Sequence, residues 1–299
     1  TAPDPRAASL RRTALTVSML SAFLTPFMAS SMNVAMPFIG KEFGLSAVTL
    51  GWVLTAYILA AAMLLVPFGR LADLVGRKRI YALGLSLDIA GAVLGATAPS
   101  EPLLILARVV QGVGGAMIFG TGVAILTSVY PPQARGRALG MNTAATYTGL
   151  SLGPVLGGFI VHSLGWRSVF LVTIPIAATA LILTIARLKG EWAEAKGERF
   201  DLGGALIYAV SLVVVMYGLT ILPGRSGVLL ILFGLLWIAA FIAWELKSPS
   251  PLLDMRLLTS NVTFLMSNIA ALISYSATFA VTFLVSLYLQ YIKGFTPRQ

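Results

Sequence analysis

Cysteine is absent from the 299-residue sequence, histidine occurs once, and charged residues make up only 11% of the chain. Without thiolates there is neither a disulfide framework nor a thiolate metal site. The single imidazole, that of His162, cannot supply a metal centre or a serine-type triad. No phosphate loop with a Gly-Lys-Ser/Thr ending occurs, which excludes ATP as a direct energy source. The sequence therefore predicts a protein that is not an enzyme and needs no metal or cofactor.

Long hydrophobic runs dominate what is present: 58% of residues are hydrophobic and the mean hydropathy is +0.89. A soluble domain carries about 25% charged residues, and roughly 20 apolar residues cross a bilayer as a helix. Helices are required because an open strand edge in lipid leaves backbone groups unsatisfied. We predict an all-α, polytopic membrane protein. Its nine candidate spans are 14–38, 49–69, 80–98, 103–127, 138–161, 168–188, 203–222, 228–246 and 262–290.

The N-terminal arginines before the first apolar run superficially resemble a secretory signal. The run from Ala14 to Met36 is longer than the ~7–15-residue core of a signal peptide. We therefore predict that it is a retained first span.

The formal charge of +10 raises the possibility of a nucleic-acid partner, but the basic residues are scattered in short loops without an aromatic-interleaved face. Alternating sides across nine spans gives 15 Lys and Arg on the first side and 5 on the second, with Arg108 inside a span. This bias predicts a cytoplasmic N-terminus and a multi-pass protein of the cytoplasmic membrane. The first side carries Arg6, Arg11, Arg12, Arg70, Arg77, Lys78, Arg79, Arg135, Arg137, Arg187, Lys189, Lys196, Arg199, Lys247 and Arg256. The second carries Lys41, Arg167, Arg225, Lys293 and Arg298.

The most polar stretch, Arg187–Asp201, follows the sixth span and alternates acids with bases. We interpret it as a solvated cytoplasmic linker, and its mixed charges argue against the carboxylate cluster of a membrane transferase. The predicted organisation is a six-helix bundle (1–190), a linker (191–202), two additional spans with a cytoplasmic loop (203–260) and the first span of an incomplete C-terminal bundle (261–299). Two inverted three-helix repeats would suit the first bundle, but no internal sequence identity supports them.

Between spans two and three, Gly69, Asp73, Gly76 and Arg77 stand in a short, basic segment. The glycines permit a tight turn, and the basic residues favour the anionic leaflet. From these residues alone the segment is either a turn with positive-inside charges or a gating element.

Asp88 and Arg108 are the two charges placed inside predicted spans. Arg108 and Gln111 share one helix face because they are three residues apart, and a charge within a span is costly unless it is paired or faces water. Arg108 either serves function or extends its side chain to the outer interface. Asp88 could reach Arg108 from span three, although a direct pair is doubtful because Arg108 is nearer the outer face.

In span five, Gly149, Gly153 and Gly157 recur every fourth residue, with Pro154 and Gly158 beside them. Small residues at this spacing let two helices approach closely. Generic helix packing is therefore one interpretation of this row of glycines, which we call the glycine stripe.

Together these segments resemble the major facilitator superfamily, and in particular its fourteen-span drug:proton antiporters. The segment Gly69-Arg70-Leu71-Ala72-Asp73-Leu74-Val75-Gly76-Arg77-Lys78 is similar to the loop signature, Arg108-Val109-Val110-Gln111-Gly112 to the fourth-helix signature, and Gly149 to Gly158 to the fifth-helix antiporter signature. Smaller similarities are Asn33-Val34-Ala35-Met36-Pro37, Tyr130-Pro131-Pro132, Arg135-Gly136-Arg137, Gly165-Trp166-Arg167 and Tyr288-Leu289-Gln290.

The resemblance implies a gate at Asp73, a link between Arg108 and proton coupling, and exchange rather than symport for the fifth helix. It implies transport of small molecules by alternating access, with protons as the other partner. The predicted cavity residues, each of which could instead be a satisfied interhelical hydrogen bond, are Asn33, Tyr57, Gln111, Asn142, Tyr147, Asn268 and Tyr275.

Two departures from the family pattern matter. Met28 stands where this branch usually has an acid in the first span, whereas Asp88 occupies a position that is usually apolar. A milder departure is Leu74, where a basic residue is frequent.

The expected function is proton-coupled efflux of small, often hydrophobic or cationic compounds. The alternative is a truncated, transport-inactive chain or a structural membrane partner, because the residues match only the first nine of fourteen spans. On that basis we expect Arg108 and Gly149 to lie open towards a missing C-terminal bundle, and Asp73 to lack its partner there.

Overall fold

The computed structural model describes residues 5–288, and the regular secondary structure of that range is entirely helical. Backbone groups in a bilayer must be satisfied within the segment, which long helices achieve. The helices are α1 Pro5–Phe43, α2 Ala47–Val75, α3 Arg77–Ala96, α4 Glu101–Val129, α5 Pro132–Leu164, α6 Arg167–Arg187, α7 Leu202–Thr220, α8 Arg225–Glu245, α9 Arg256–Ser260 and α10 Val262–Leu287.

Helices α1 to α8 are each long and apolar enough to cross a membrane, and each contains or closely matches one predicted span. The ninth predicted span begins at Val262, as α10 does, and its last two residues, 289 and 290, lie outside the described residues. The prediction of an all-helical, polytopic fold is confirmed. Several helices extend one or two turns beyond the apolar runs because polar residues continue them.

Short connections make consecutive helices antiparallel. Gly76, with φ of 121°, is the single residue between α2 and α3, and this backbone conformation is one that other residues rarely adopt. Ser46 caps α2 by accepting a hydrogen bond from the Thr49 N–H, at 3.2 Å.

Helices α1 to α6 form one packed unit in which α1 lies against α5 and α6, and α4 lies against α2 and α3. Helices α7 and α8 pack on each other and touch this unit through α2 and α7. Within the described residues, α10 contacts α9 and no other helix.

Side-chain contacts define two ends of the unit. At one end Tyr130 donates to the Arg11 carbonyl oxygen, at 3.1 Å, and the segment between α6 and α7 lies nearby; we call this the linker end. At the opposite end Arg167 pairs with Glu42 at 2.6 Å and donates to the Ala98 carbonyl oxygen at 2.8 Å. For α1 to α6, these contacts agree with the predicted alternation of sides.

Most residues of the linker are exposed, but part of the segment packs against the six-helix unit. Leu188 and Ala195 are buried, and the Ala195 N–H donates to the Asp73 carbonyl oxygen, at 2.9 Å. The segment folds back onto the end of α2 and the start of α3 because its backbone and its glutamates find partners there.

Candidate functional site

The interior of the six-helix unit contains a group of polar residues that we call the interior cluster: Tyr57, Asp88, Arg108 and Gln111. Arg108 is 1% exposed. Its Nε donates to the Val53 carbonyl oxygen at 3.1 Å, and its Nη1 donates to Gln111 Oε1 at 2.7 Å. The three-residue spacing on α4 therefore orients the guanidinium through its own helix neighbour.

Tyr57 on α2 supplies the other side of the guanidinium. The Arg108 Cζ lies 4.5 Å from the centre of the Tyr57 ring, within the range of a cation–π contact. Thr25 of α1 lines the same small cavity as Tyr57. The cation is thus stabilised mainly by neutral groups.

Asp88 enters the cluster from α3. Glycines allow this approach: a Cβ at Gly114 would lie 2.8 Å from the Asp88 backbone N, and one at Gly91 would lie 2.9 Å from the Gln111 backbone N. The ion pairs among the described residues include neither Asp88 nor Arg108. The prediction that they form no direct pair is consistent with this arrangement, in which the two side chains line one cavity.

Asp88 and Arg108 line a narrow cavity, with about 10 Å³ open to water, that reaches α1 and α6. A space of this size holds about one water molecule. Met28, which stands where the resemblance predicts an acid, lines the same cavity. The other lining residues are Leu24, Thr25, Ala29, Tyr57, Gln111 and Thr173. Sequence reasoning missed Thr25 and Thr173, because hydroxyl residues are common in apolar spans and carry no distinguishing signal.

The expectation that Arg108 and Gly149 lie open is wrong. Arg108 is enclosed by α2 and α4, and α1 covers Gly149, where a Cβ would collide with the Phe23 carbonyl oxygen. The other glycines of the stripe also face α1: a Cβ at Gly157 would lie 2.6 Å from the Ser31 Cβ, and one at Gly153 would collide with Ser30. The stripe is the surface on which α1 and α5 pack.

Gly158 and Pro154 are the remaining residues of the antiporter signature. A Cβ at Gly158 would meet only Val34, at 3.9 Å. Pro154 lies inside α5. Their assignment to exchange remains a prediction.

At the linker end, the predicted gate residues Asp73 and Arg77 are brought together. The Arg77 Nε donates to Asp73 Oδ1 at 2.8 Å, and its Nη1 donates to Ser128 Oγ at 2.7 Å and to Glu194 Oε1 at 2.8 Å. Asp73 lies in the last turn of α2, so its placement in a loop is wrong. Gly69 is also within α2, where a Cβ would meet nothing within 4 Å.

Two further glutamates of the linker contact this region. Glu191 accepts a hydrogen bond from the Lys78 N–H at 2.8 Å, and its side chain covers Gly76. Glu198 pairs with Arg70 at 2.5 Å. We call Asp73, Arg77, Glu191 and Glu194 the gate network.

Five predicted cavity residues lie elsewhere. Asn33 and Tyr147 are exposed, and Asn142 is half-buried with its Oδ1 atom lacking a partner among the described residues. Asn268 and Tyr275 are exposed on α10. Only Tyr57 and Gln111 of the seven predicted residues line the cavity.

A bundle of membrane-length helices with a buried arginine and aspartate at its centre is the architecture of a polytopic transport protein. The sequence pattern of the Major Facilitator Superfamily matches residues 18–298, and the chain belongs to this family. The predictions of the family and of a protein that is not an enzyme are confirmed.

Several relatives are transport or resistance proteins by name. The chain is 32% identical over 284 residues to Multidrug resistance protein Stp of Mycobacterium tuberculosis, covering 93% of this chain and 52% of Stp. It is 29% identical to Riboflavin transporter RibZ of Clostridioides difficile, covering 95% of this chain and 62% of RibZ. It is 31% identical to Puromycin resistance protein pur8 of Streptomyces alboniger, covering 99% of this chain and 58% of that protein.

A solved structure has the same fold. The crystal structure of the peptide transporter POT in complex with sulfate matches with a TM-score of 0.60 and 18% identity, over 80% of this chain and 52% of POT. The chain thus spans about half the length of the relatives that it matches.

Proposed function

We propose that the chain forms the N-terminal part of a secondary transporter that exports small hydrophobic or cationic compounds in exchange for protons. The similarity to resistance proteins at about 30% identity supports the substrate class. In this proposal, residues 1–190 are one of two bundles that rock about a central site. Residues 191–202 are the linker, 203–260 the additional helix pair, and 261–299 the start of the second bundle.

The observation that carries the proton coupling is the shared cavity of Met28 and Asp88. A proton-coupled carrier needs an acid that exchanges protons within the membrane domain and whose charge interacts with a nearby cation. Met28 cannot do so, but Asp88 supplies a carboxyl group on another wall of the same cavity, which Arg108 also lines. We infer that Asp88 replaces the missing first-span acid.

Everted vesicles from cells that produce the protein test this proposal with a fluorescent cationic dye, with and without a proton gradient. Asp88→Asn should abolish gradient-driven accumulation and leave dye binding intact. Because Met28 lines the same cavity, Met28→Asp in the Asp88→Asn background should restore part of the coupling. Unchanged accumulation in Asp88→Asn would remove Asp88 from the mechanism.

In this proposal, protonation of Asp88 changes how Arg108 is held. A negative Asp88 attracts the guanidinium, whereas a neutral Asp88 leaves Arg108 held by Val53, Gln111 and the Tyr57 ring. Proton exchange would thereby change how tightly α3 is held to α2 and α4.

The proposed orientation places the linker end in the cytoplasm, on the basis of the charge asymmetry. Lys41→Cys and Lys196→Cys, introduced singly into this cysteine-free sequence, should react with an impermeant thiol reagent from opposite sides. Labelling of both positions from outside intact cells would contradict the orientation.

The alternative function is a structural membrane partner without transport. The exposed helix α10, which touches only α9 within residues 5–288, is the observation that favours it. In the vesicle experiment, dye accumulation by the unmodified protein would exclude this alternative. Its absence, with normal insertion, would favour it.

A further inference from the structure

A groove between α1 and α6 at the linker end lies apart from the interior cluster and the gate network. It has a volume of about 620 Å³ and is lined by Ala8, Ser9, Arg12, Thr13, Thr16, Leu183 and Arg187. Ser9, Arg12, Thr13 and Thr16 follow the spacing of one helical face. Two arginines and three hydroxyl residues therefore line one space, with no carboxylate among its described lining residues. The Thr13 hydroxyl donates to the Ser9 carbonyl oxygen, at 3.1 Å, and the hydrogen bonds between described residues include none donated by the side chain of Ser9 or Thr16.

The two arginines differ from others at the same end. Arg70, Arg77 and Arg79 each have a carboxylate of the linker within 4 Å. The ion pairs of the described residues include neither Arg12 nor Arg187. Arg137 and Arg199 are also in none of these ion pairs, so it is the position of Arg12 and Arg187 in one groove that sets them apart. Two guanidinium groups with neighbouring hydroxyl groups suit the oxygens of a phosphate group.

The surface beside the groove is apolar. Ile182 and Ile185 of α6 are 64% and 62% exposed and precede Arg187 on the same helix. They lie around the helix from the lining residues Leu183 and Arg187, on its exposed side. Lys78 donates to the Ile185 carbonyl oxygen at 3.5 Å, which brings a third cation near the same helix end. A ligand with a phosphate group and hydrocarbon chains would satisfy both the basic groove and this exposed surface.

We propose that the groove binds the phosphate headgroup of an anionic membrane phospholipid, whose acyl chains lie along Ile182 and Ile185. Basic pockets between helices at the cytoplasmic surface are suited to such headgroups. The assignment to the cytoplasmic leaflet rests on the proposed orientation, whereas the binding itself requires neither transport nor that orientation. Headgroup binding would hold the start of α1 against the end of α6.

Thermal unfolding of the purified chain in detergent tests this proposal without a transport assay. Phosphatidylglycerol should raise the unfolding temperature saturably, whereas phosphatidylcholine with the same acyl chains should not. Inorganic phosphate should bind at least about tenfold more weakly, because it lacks the chains that would cover Ile182 and Ile185. Equal binding of inorganic phosphate would identify a free-anion site and overturn the lipid assignment.

Arg12→Gln with Arg187→Gln should weaken phosphatidylglycerol binding by at least about tenfold, since each cation near an anionic headgroup contributes about a factor of five. The matched control is Arg137→Gln with Arg199→Gln, which removes the same charge from exposed residues outside the groove. If the first double variant does not fold, Arg187→Gln alone should still weaken binding about fivefold. Wild-type affinity in a groove variant, or equal loss in the control, would overturn the site.

Discussion

Arg108 and Arg77 are both less than one-tenth exposed, at 1% and 8%, but their charges are neutralised in different ways. Arg108 donates to a backbone carbonyl and an amide and lies over an aromatic ring, with its nearest acid across a cavity. Arg77 forms ion pairs with Asp73 and Glu194. The acid of the interior cluster thus has no direct ion pair, whereas the cation of the gate network pairs directly with two acids.

The difference has an energetic reason. A charge inside the bilayer costs several kcal/mol unless the site compensates for it. The free energy of such a charge therefore changes strongly when a neighbouring group is protonated or moves. Ion pairs beside water contribute about 0–1 kcal/mol each, so they can break and form during a conformational change. We infer that the interior cluster carries coupling and the gate network carries switching between states.

The largest effect is expected for Arg108→Leu. Dye transport should fall at least about 100-fold, or about 2.7 kcal/mol, because Asp88 would lose the cation whose position its charge controls. The free energy of unfolding should change by less than about 2 kcal/mol, since the loss of the donor to Gln111 is offset by removal of a buried charge. Vesicle transport and thermal unfolding of the same samples measure the two effects.

Arg108→Lys is the control, because it keeps the positive charge and removes the geometry of the guanidinium group. An ammonium group lacks the planar fork that reaches both the Val53 carbonyl and Gln111. Transport should therefore be intermediate. If the lysine variant transports like the unmodified protein, the cation alone matters and the described hydrogen bonds do not.

A smaller effect is expected for Asp73→Asn. The amide oxygen can still accept from the Arg77 Nε, so the unfolding free energy should fall by no more than about 1 kcal/mol. Transport should fall about tenfold if the carboxylate charge is needed for switching. Membrane insertion and dye transport are the measurements.

Glu198→Gln is the matched control for that prediction. It removes one carboxylate charge from a pair at the same end, whose acid is 51% exposed, and should leave transport unchanged. Equal losses of expression and activity in Asp73→Asn would favour the turn-forming interpretation of the segment.

The sequence predicts the eight spans, and it predicts that the glycine stripe can pack against another helix. Both predictions depend only on residues close together in the sequence. Gly149, Gly153 and Gly157 share a helix face whatever their partner is. That the partner is α1 depends on tertiary packing, which is why Gly149 was wrongly expected to lie open.

The candidate site was only partly predictable for the same reason. Arg108 and Gln111 are neighbours on one helix, whereas the meeting of Met28 with Asp88 joins α1 to α3. The linker glutamates alternate with bases in sequence, a pattern equally suited to a solvated segment. Only the fold reveals that they lie against the last turns of α2 and the start of α3.

The smallest effects are expected for variants of Glu191 and Arg79, which distinguish the loss of a helix cap from the loss of an ion pair. Helix α3 begins after Gly76, which has no side chain to cap it, and Glu191 supplies an acceptor to the Lys78 N–H instead. Glu191→Ala should therefore lower the unfolding free energy by about 1 kcal/mol, as the loss of an N-terminal cap does. Glu191→Gln keeps an acceptor and should lose about half as much, since only the attraction of the carboxylate to the helix dipole is removed.

Arg79→Gln breaks the 3.6 Å ion pair with the same glutamate, but the arginine side chain is 74% exposed. Its effect should be below about 0.5 kcal/mol. Thermal unfolding of the three variants in one detergent ranks them. If Arg79→Gln were as damaging as Glu191→Ala, the ion pair rather than the cap would hold the linker to α3. The gate network would then depend on salt, and raising the ionic strength should lower the unfolding temperature of the unmodified protein.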